Sequence, residues 1–426
     1  MAWTRALLVA GMLALVPVCA ADDWPHWRGP NRDDTTAESS RWDDGAWPPG
    51  EPAWTAQVGA GGSSPIIAGG RVYTLGWMDG VEVVSCLDAA TGQVRWRRSY
   101  EAPEYGRHHR GDEGQYRGPS STPELDTETG LLYTLGIDGH LGCWDTRRDG
   151  QPVWGTNLYE EFGVGQRPDV GGGVRDYGYT TAPLVYGEWL IVEVGADVGS
   201  LIAFDTRTGE VRWASEAADP AGHSGGLVPL EVEGVPCVAV VTLHRLLVVR
   251  LDAGHEGETA ASLDWQTSYG NSIATPAAQG DSMVLTSGYS QSRTARVRVE
   301  LGGAEVVWES SRFSKVCSPV VHKEHVYFAW QRLRCLDWET GEQRWEGGSF
   351  GNDASLVFTG DGRLVVFGNR RLALCEAAGR SPDAYTELAA RTGVGAAECW
   401  PHVALADGRI YCRDREGALI CFDLTD

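Results

Sequence analysis

Arg117, Tyr177, Tyr179, His223, Ser224, Asn271, Ser272, Lys315, Asn352, Asp353 and Glu398 share a position in the chain. Each stands a few residues upstream of a Ser/Thr-x-Pro opening or its equivalent, such as Ser121-Thr-Pro123, Thr181-Ala-Pro183 or Ser318-Pro319. Arg, Lys, His and Asn gathered at one point can hold an anionic or carbonyl-bearing ligand through charge-assisted hydrogen bonds. The same side chains can instead satisfy loop backbones and channel water, and the residues alone leave both readings open. Either way they need an architecture that brings these openings together.

Other chemistries find less support. Arg107-His-His-Arg110, with Asp112 and Glu113, lies in a long insertion. Adjacent His side chains on a strand point to opposite faces, which is poor geometry for one metal, so a solvated loop is expected. Gly171-Gly-Gly173 is followed by neither a helix pattern nor Lys-Ser/Thr, so no phosphate loop is expected. Cys-x-x-Cys and adjacent cysteines are missing from the sequence.

The architecture is legible in a recurring hairpin. Ala203-Phe-Asp-Thr-Arg-Thr-Gly-Glu-Val-Arg-Trp213 has close copies at 86–96 and 335–345, and a looser one at 144–154. Asp205 is expected to accept from the turn's N–H groups and Gly209 to take its left-handed conformation. Asp88, Asp145, Asp252, Asp337 and Asp423 fill the same structural role. One such unit cannot bury its own apolar face, so the copies must stack. Eight repeats can be counted, closing on Trp96, Trp154, Trp213, Trp265, Trp308 and Trp345, then a degenerate seventh, then an eighth that stops after Leu419-Ile-Cys-Phe-Asp423.

The eighth repeat lacks its last strand, and Ala53–Val58 reads as a last strand without a repeat. Pairing the two closes a ring and leaves no open sheet edge. The fold expected is all-β: an eight-bladed β-propeller of four-stranded antiparallel blades over residues 53–426, with the tryptophans flat between blades.

Ahead of the propeller come two segments. Met1–Ala20 has Arg5, an apolar run and Val18-Cys19-Ala20, the pattern of a cleaved export signal. Residues 21–52 form an extension whose start, Asp23–Arg32, is expected to lie across a surface. The mature chain would begin near Ala21 and act in the periplasm or outside the cell, with no membrane span. Removing Cys19 leaves Cys86, Cys143, Cys237, Cys317, Cys335, Cys375, Cys399, Cys412 and Cys421, an odd set. Several recur at one repeat position, as small apolar strand residues would. The net charge of −22 excludes nucleic acid and anionic membranes as partners.

Taken together, the Asp-x-x-Thr-Gly-x-x-x-Trp hairpins, the Ser/Thr-x-Pro openings and the final Leu419–Asp423 strand resemble the PQQ-like β-propeller repeat family. Trp24-Pro-His-Trp-Arg-Gly-Pro-Asn-Arg32 resembles the start of an exported branch of it from environmental bacteria. The resemblance implies one of two functions. Quinoprotein dehydrogenases of this kind hold pyrroloquinoline quinone (PQQ) and Ca²⁺ in the propeller funnel; other members are non-catalytic, among them a subunit of the outer-membrane β-barrel assembly machine. The dehydrogenases' adjacent-cysteine disulfide is missing here, and no stretch aligns with their Ca²⁺ ligands or catalytic Asp. The expectation is therefore a non-catalytic exported scaffold, monomeric, without cofactor, binding a protein or small-molecule ligand not identified by the sequence. The alternative is a PQQ- and Ca²⁺-dependent oxidoreductase of alcohol or sugar dehydrogenase type.

Overall fold

Each sequence repeat becomes one antiparallel sheet in the computed structural model, which describes residues 23–111, 116–173, 175–289 and 291–425. The proposed signal, Met1–Ala20, lies outside them. The eight sheets begin in turn with Ile66–Ala68, Glu124–Asp126, Leu184–Tyr186, Val228–Val232, Ala277–Gln279, Val320–His322, Ser355–Phe358 and Ala404–Ala406. First strands of neighbouring sheets touch one another, which places them innermost around a central channel. Seven sheets have four strands. In the sixth, the run His325–Asp337 bends at Gln331 (φ 60°) and stands in for both middle strands.

The ring closes as the sequence predicts. Trp54–Gln57 pairs antiparallel with the last strand, Trp54 opposite Cys421 and Gln57 opposite Ala418. Strands from the two ends of the propeller thus share the eighth blade, Trp54–Gln57 forming its outer edge.

The hairpin motif explains how blades lock. Asp205 Oδ1 accepts from the N–H of Arg207 and Thr208 at 2.9 and 2.8 Å. Its other oxygen takes Arg212 across the hairpin at 2.6 Å. Asp337 repeats the pattern with Glu339, Thr340 and Arg344. The Gly of each turn receives the indole of the preceding blade: Trp54 on Gly92, Trp96 on Gly150, Trp154 on Gly209 and Trp308 on Gly341. Trp54, Trp154 and Trp308 also donate Nε1–H to a backbone carbonyl of the next blade, at 2.9, 3.0 and 2.8 Å. At these three seams one residue therefore supplies both apolar area and a hydrogen bond.

The extension does not lie across a surface as expected; it runs through the channel. Trp24 exchanges backbone hydrogen bonds with Ile67 of the first blade, and Leu125 N–H of the second donates to Pro25. Arg28, 1% exposed, reaches the fifth and sixth blades through Pro276 O (3.0 Å) and Pro319 O (2.5 Å). Asp34 and Thr36 bond to Phe358 of the seventh blade, and Glu38 to Asp407 and Gly408 of the eighth. The physical reason is that innermost strands present unpaired backbone groups to the channel, and buried backbone groups must find partners. The strap's own backbone supplies them.

Charges that enter with the strap are matched. Arg28 Nε donates to Asp34 Oδ2 at 2.5 Å. Burial would raise the Asp34 carboxyl, but Arg28 and then His402 overcome it and hold it below the usual range. Glu124, fully buried on the second blade's inner strand, pairs with Arg32 and with His26 (3.1 Å). Burial opposes its ionisation, yet Arg32 and then His26 bring it down to about 2.

Candidate functional site: a blind aromatic cavity in the channel mouth

Above the strap the channel opens into a cavity of ≈ 120 Å³. Its floor is Trp27, whose Nε1–H is anchored on Thr275 Oγ1 at 3.0 Å and whose ring meets His402 at 4.3 Å. Because the strap closes the channel below Trp27, the cavity is blind and is reached from one mouth.

The lower wall is built from small residues just ahead of the innermost strands: Gly62, Ser120, Thr180 and Gly225. Their size keeps the bore open. The upper wall is aromatic and comes from loops and insertions. Tyr116 stacks on Trp400 (4.7 Å, 26°) and meets Tyr177 edge-on (5.7 Å, 81°). Tyr289 and Arg175 complete it, the Arg175 guanidinium lying 4.4 Å from the Tyr269 ring centre. Outside this wall Arg415 sits over both Tyr116 and Trp400, at 4.7 and 4.8 Å.

The insertion carrying Arg175 and Tyr177 is fixed by a buried ion pair. Arg167 Nη1 meets Asp176 Oδ1 at 2.5 Å, and Arg167 Nε donates to Ala221 O at 2.6 Å. Asp176 also accepts from the N–H of Arg167 and Gly178, both at 3.1 Å.

Of the sequence candidates, Tyr177, His223 and Asn271 line the cavity. His223 is 2% exposed. Its Nε2 faces the Tyr177 N–H (3.4 Å) and its Nδ1 faces Gly270 O (3.1 Å), which sets the tautomer with the proton on Nδ1. Burial, then Arg167, lowers its pKa well below the ordinary histidine value, so the ring is neutral. Asn271 is 2% exposed and its Oδ1 is buried without a hydrogen-bond partner.

The remaining candidates stand elsewhere. Arg117 sits toward the rim, paired with Glu416 and, at 3.6 Å, Glu104. Lys315 caps Tyr289 and Trp330 at 4.8 and 5.2 Å. Tyr179 is buried between blades, its hydroxyl on Val194 O at 3.1 Å. Ser224 and Ser272 are buried and bonded to Gly226 O and Thr267. Asp353 receives the N–H of Asn369 and Cys399, at 2.9 and 2.8 Å. Asn352 and Glu398 are exposed. Sequence reasoning missed Trp27, Tyr116, Arg175, Trp400 and His402. The aromatic-rich opening and Trp400-Pro-His402 carried the signal for three of these.

Metal chemistry finds no donor set. Among the described residues no group of three or more His, Cys, Asp or Glu is placed to hold an ion. Arg107 is bound to Asp138 (2.8 Å) and Glu160 (3.4 Å), while His108 and His109 pack on Tyr159 and Tyr105; Asp112 and Glu113 lie outside the described residues. A PQQ site would also need oxygen ligands for Ca²⁺. Among the described residues none lining the cavity is Asp or Glu, and Asp353 is committed to backbone N–H groups. The residues present do not fit that pair of groups.

Residues 80–347 match the family model described as outer membrane protein assembly factor BamB. No curated protein matches the sequence significantly. Among solved structures, BamB from Moraxella catarrhalis is similar with a TM-score of 0.59 at 12% identity, covering 87% of this chain and 99% of that one. Quinohemoprotein alcohol dehydrogenase from Comamonas testosteroni gives 0.60 at 14%, covering 94% and 80%. The computationally designed protein Ika8 gives 0.58 at 13%, covering 88% and 100%. At such identities the likeness is one of fold alone.

Proposed function

We propose that this chain, which belongs to the family of the outer membrane protein assembly factor BamB, is an exported, non-catalytic propeller that holds a ligand or partner at its channel mouth. The observation that carries this reading is the blind cavity floored by Trp27. It offers ring faces and hydrogen-bonding groups in a fixed geometry. His223, one of two buried histidines lining it, is neutral with both nitrogens engaged, so it is poorly placed to move a proton. The cleavage pattern at Val18-Cys19-Ala20 supports export, and no helix among the described residues is long and apolar enough to cross a membrane. The protein acts as a monomer and needs no cofactor.

Two measurements test the proposal. Purified protein incubated with PQQ and Ca²⁺, then gel-filtered, is expected to retain no quinone absorbance and to show no dye-linked alcohol oxidation. Retention with turnover would establish the oxidoreductase reading instead. N-terminal sequencing of the exported protein is expected to start near Ala21; a Met1 start in the cytoplasm would overturn export.

A further inference from the structure

We infer that the cavity takes a single pyranose, either a free monosaccharide or the terminal unit of a glycan. The inference rests on the reading that the mouth binds rather than transforms, and adds the ligand's chemical class.

Size sets the first limit. The cavity measures ≈ 120 Å³, a space on the scale of one substituted six-membered ring.

Ring orientation sets the second. A planar aromatic guest needs two parallel walls with a gap between them. Tyr116 and Trp400 are near parallel but already in contact at 4.7 Å, and Tyr177 stands at 81° to Tyr116. Trp27 forms a floor tilted 46° to His402. Angled walls of this kind box a thick, puckered ring. Aromatic faces carry negative charge density, which attracts the weakly positive C–H groups of a sugar's apolar face.

Polar groups set the third. Ser120, Thr180 and Ser318 place hydroxyls on the walls, groups that exchange hydrogen bonds with a sugar's own hydroxyls. An aromatic cage can also bind a quaternary ammonium, but Arg175 on this wall and Arg415 behind it disfavour a cation.

Titration of the mature protein, followed by tryptophan fluorescence and calorimetry, tests the inference. The probes are neutral hexoses, hexuronates and oligosaccharides ending in either, with benzoate and tetramethylammonium as counter-probes. Saturable binding of a sugar is expected, abolished by Ser120→Trp, which fills the cavity from an exposed position; a melting curve confirms that the variant folds. Tighter binding of oligosaccharides than of their terminal monosaccharide supports the glycan end, and equal binding the free sugar. No binding of any sugar at roughly tens of millimolar, binding unaffected by Ser120→Trp, or binding of the counter-probes alone would overturn the sugar class and leave the binding reading standing. Oxidation of a bound sugar would overturn the non-catalytic reading and leave the ligand class intact.

Discussion

The indole of Trp154 lies against Gly209 of the next blade so closely that a Cβ at Gly209 would stand 2.7 Å from ring atom Cδ2. Gly209 also has φ +74°, so its place in the motif has two causes. Gly187 separates them: its φ is +59° and nothing lies within 4 Å of its would-be Cβ. Gly187→Ala is expected to cost about 1 kcal/mol from left-handed strain alone. Gly209→Ala adds a clash with a seam that cannot yield, and about 2–4 kcal/mol is expected. Urea midpoints compare the two. Equal losses would mean that the turn, not the tryptophan, demands the glycine.

The strap makes a second prediction. Arg28 ties Asp34 to the fifth and sixth blades from a position 1% exposed. Removing one partner of a buried pair leaves the other charge stranded, at about 3–5 kcal/mol. Arg28→Ala should therefore destabilise the whole propeller and release the strap to protease. Asp33→Ala, at a partly exposed neighbour whose carboxylate serves only Thr35 among the described bonds, should cost well under 1 kcal/mol by comparison. Denaturation curves with limited proteolysis and N-terminal sequencing of fragments check both.

The ring was legible because its signals are local and repeated. Asp205, Gly209 and Trp213 recur at fixed spacing, and the orphan strand at Trp54 matched the gap after Asp423. The channel was not. Nothing in Trp24–Arg32 distinguishes a strap across a face from one threaded through the middle; burial of Arg28 is a tertiary fact. The cavity was half legible. Candidates were chosen for polarity upstream of each strand opening, which caught Tyr177, His223 and Asn271. The wall itself is defined by small residues in register, Gly62, Ser120 and Thr180, which carry no chemical flag. Its aromatic faces arrive from separate segments, and only the fold brings Tyr116 to Trp400. Gly142, in a second-blade strand, is a further case, since a Cβ there would meet the Trp144 ring at 2.9 Å.

Thiol accessibility offers a third prediction. All nine cysteines beyond Cys19 are free and buried. Burial pushes the thiols of Cys86, Cys143, Cys335 and Cys421 up to about 12, so little thiolate is present at neutral pH. The native protein should therefore react with none of a charged aromatic disulfide reagent over hours, and its denatured form with all nine sites once Cys19 has left with the signal. Fast native reaction at one site would show that its blade opens locally. A count below nine after denaturation without reductant would show a disulfide in the exported protein.

Two buried carboxyls give the stability a pH dependence of definite sign. Glu82 takes the Tyr100 hydroxyl at 2.5 Å and the Ile137 N–H at 2.8 Å; Glu193 takes the Thr181 hydroxyl and the Gly222 N–H at 2.8 Å. These bonds favour the ionised form, but burial outweighs them and raises each carboxyl from 4.5 to about 7. Below about 4.5 both native and unfolded chains hold these protons. Between about 4.5 and 7 the unfolded chain releases them while the native chain keeps them, so stability falls as pH rises through that window and is flat above it. Each shift corresponds to about 3 kcal/mol at most. The lowered carboxyls Asp34 and Glu124 act in the opposite sense, their stabilisation disappearing only as pH falls below the ordinary carboxylate range. The two effects separate in a difference experiment. Glu82→Gln and Glu193→Gln each keep the shape and a hydrogen-bonding amide but cannot ionise. Relative to wild type, each should be more stable at about pH 8 and near equal at about pH 4.5, with urea midpoints as the readout. A variant less stable than wild type at the higher pH would mean that the ionised carboxylate is the form the blade seam is built to hold.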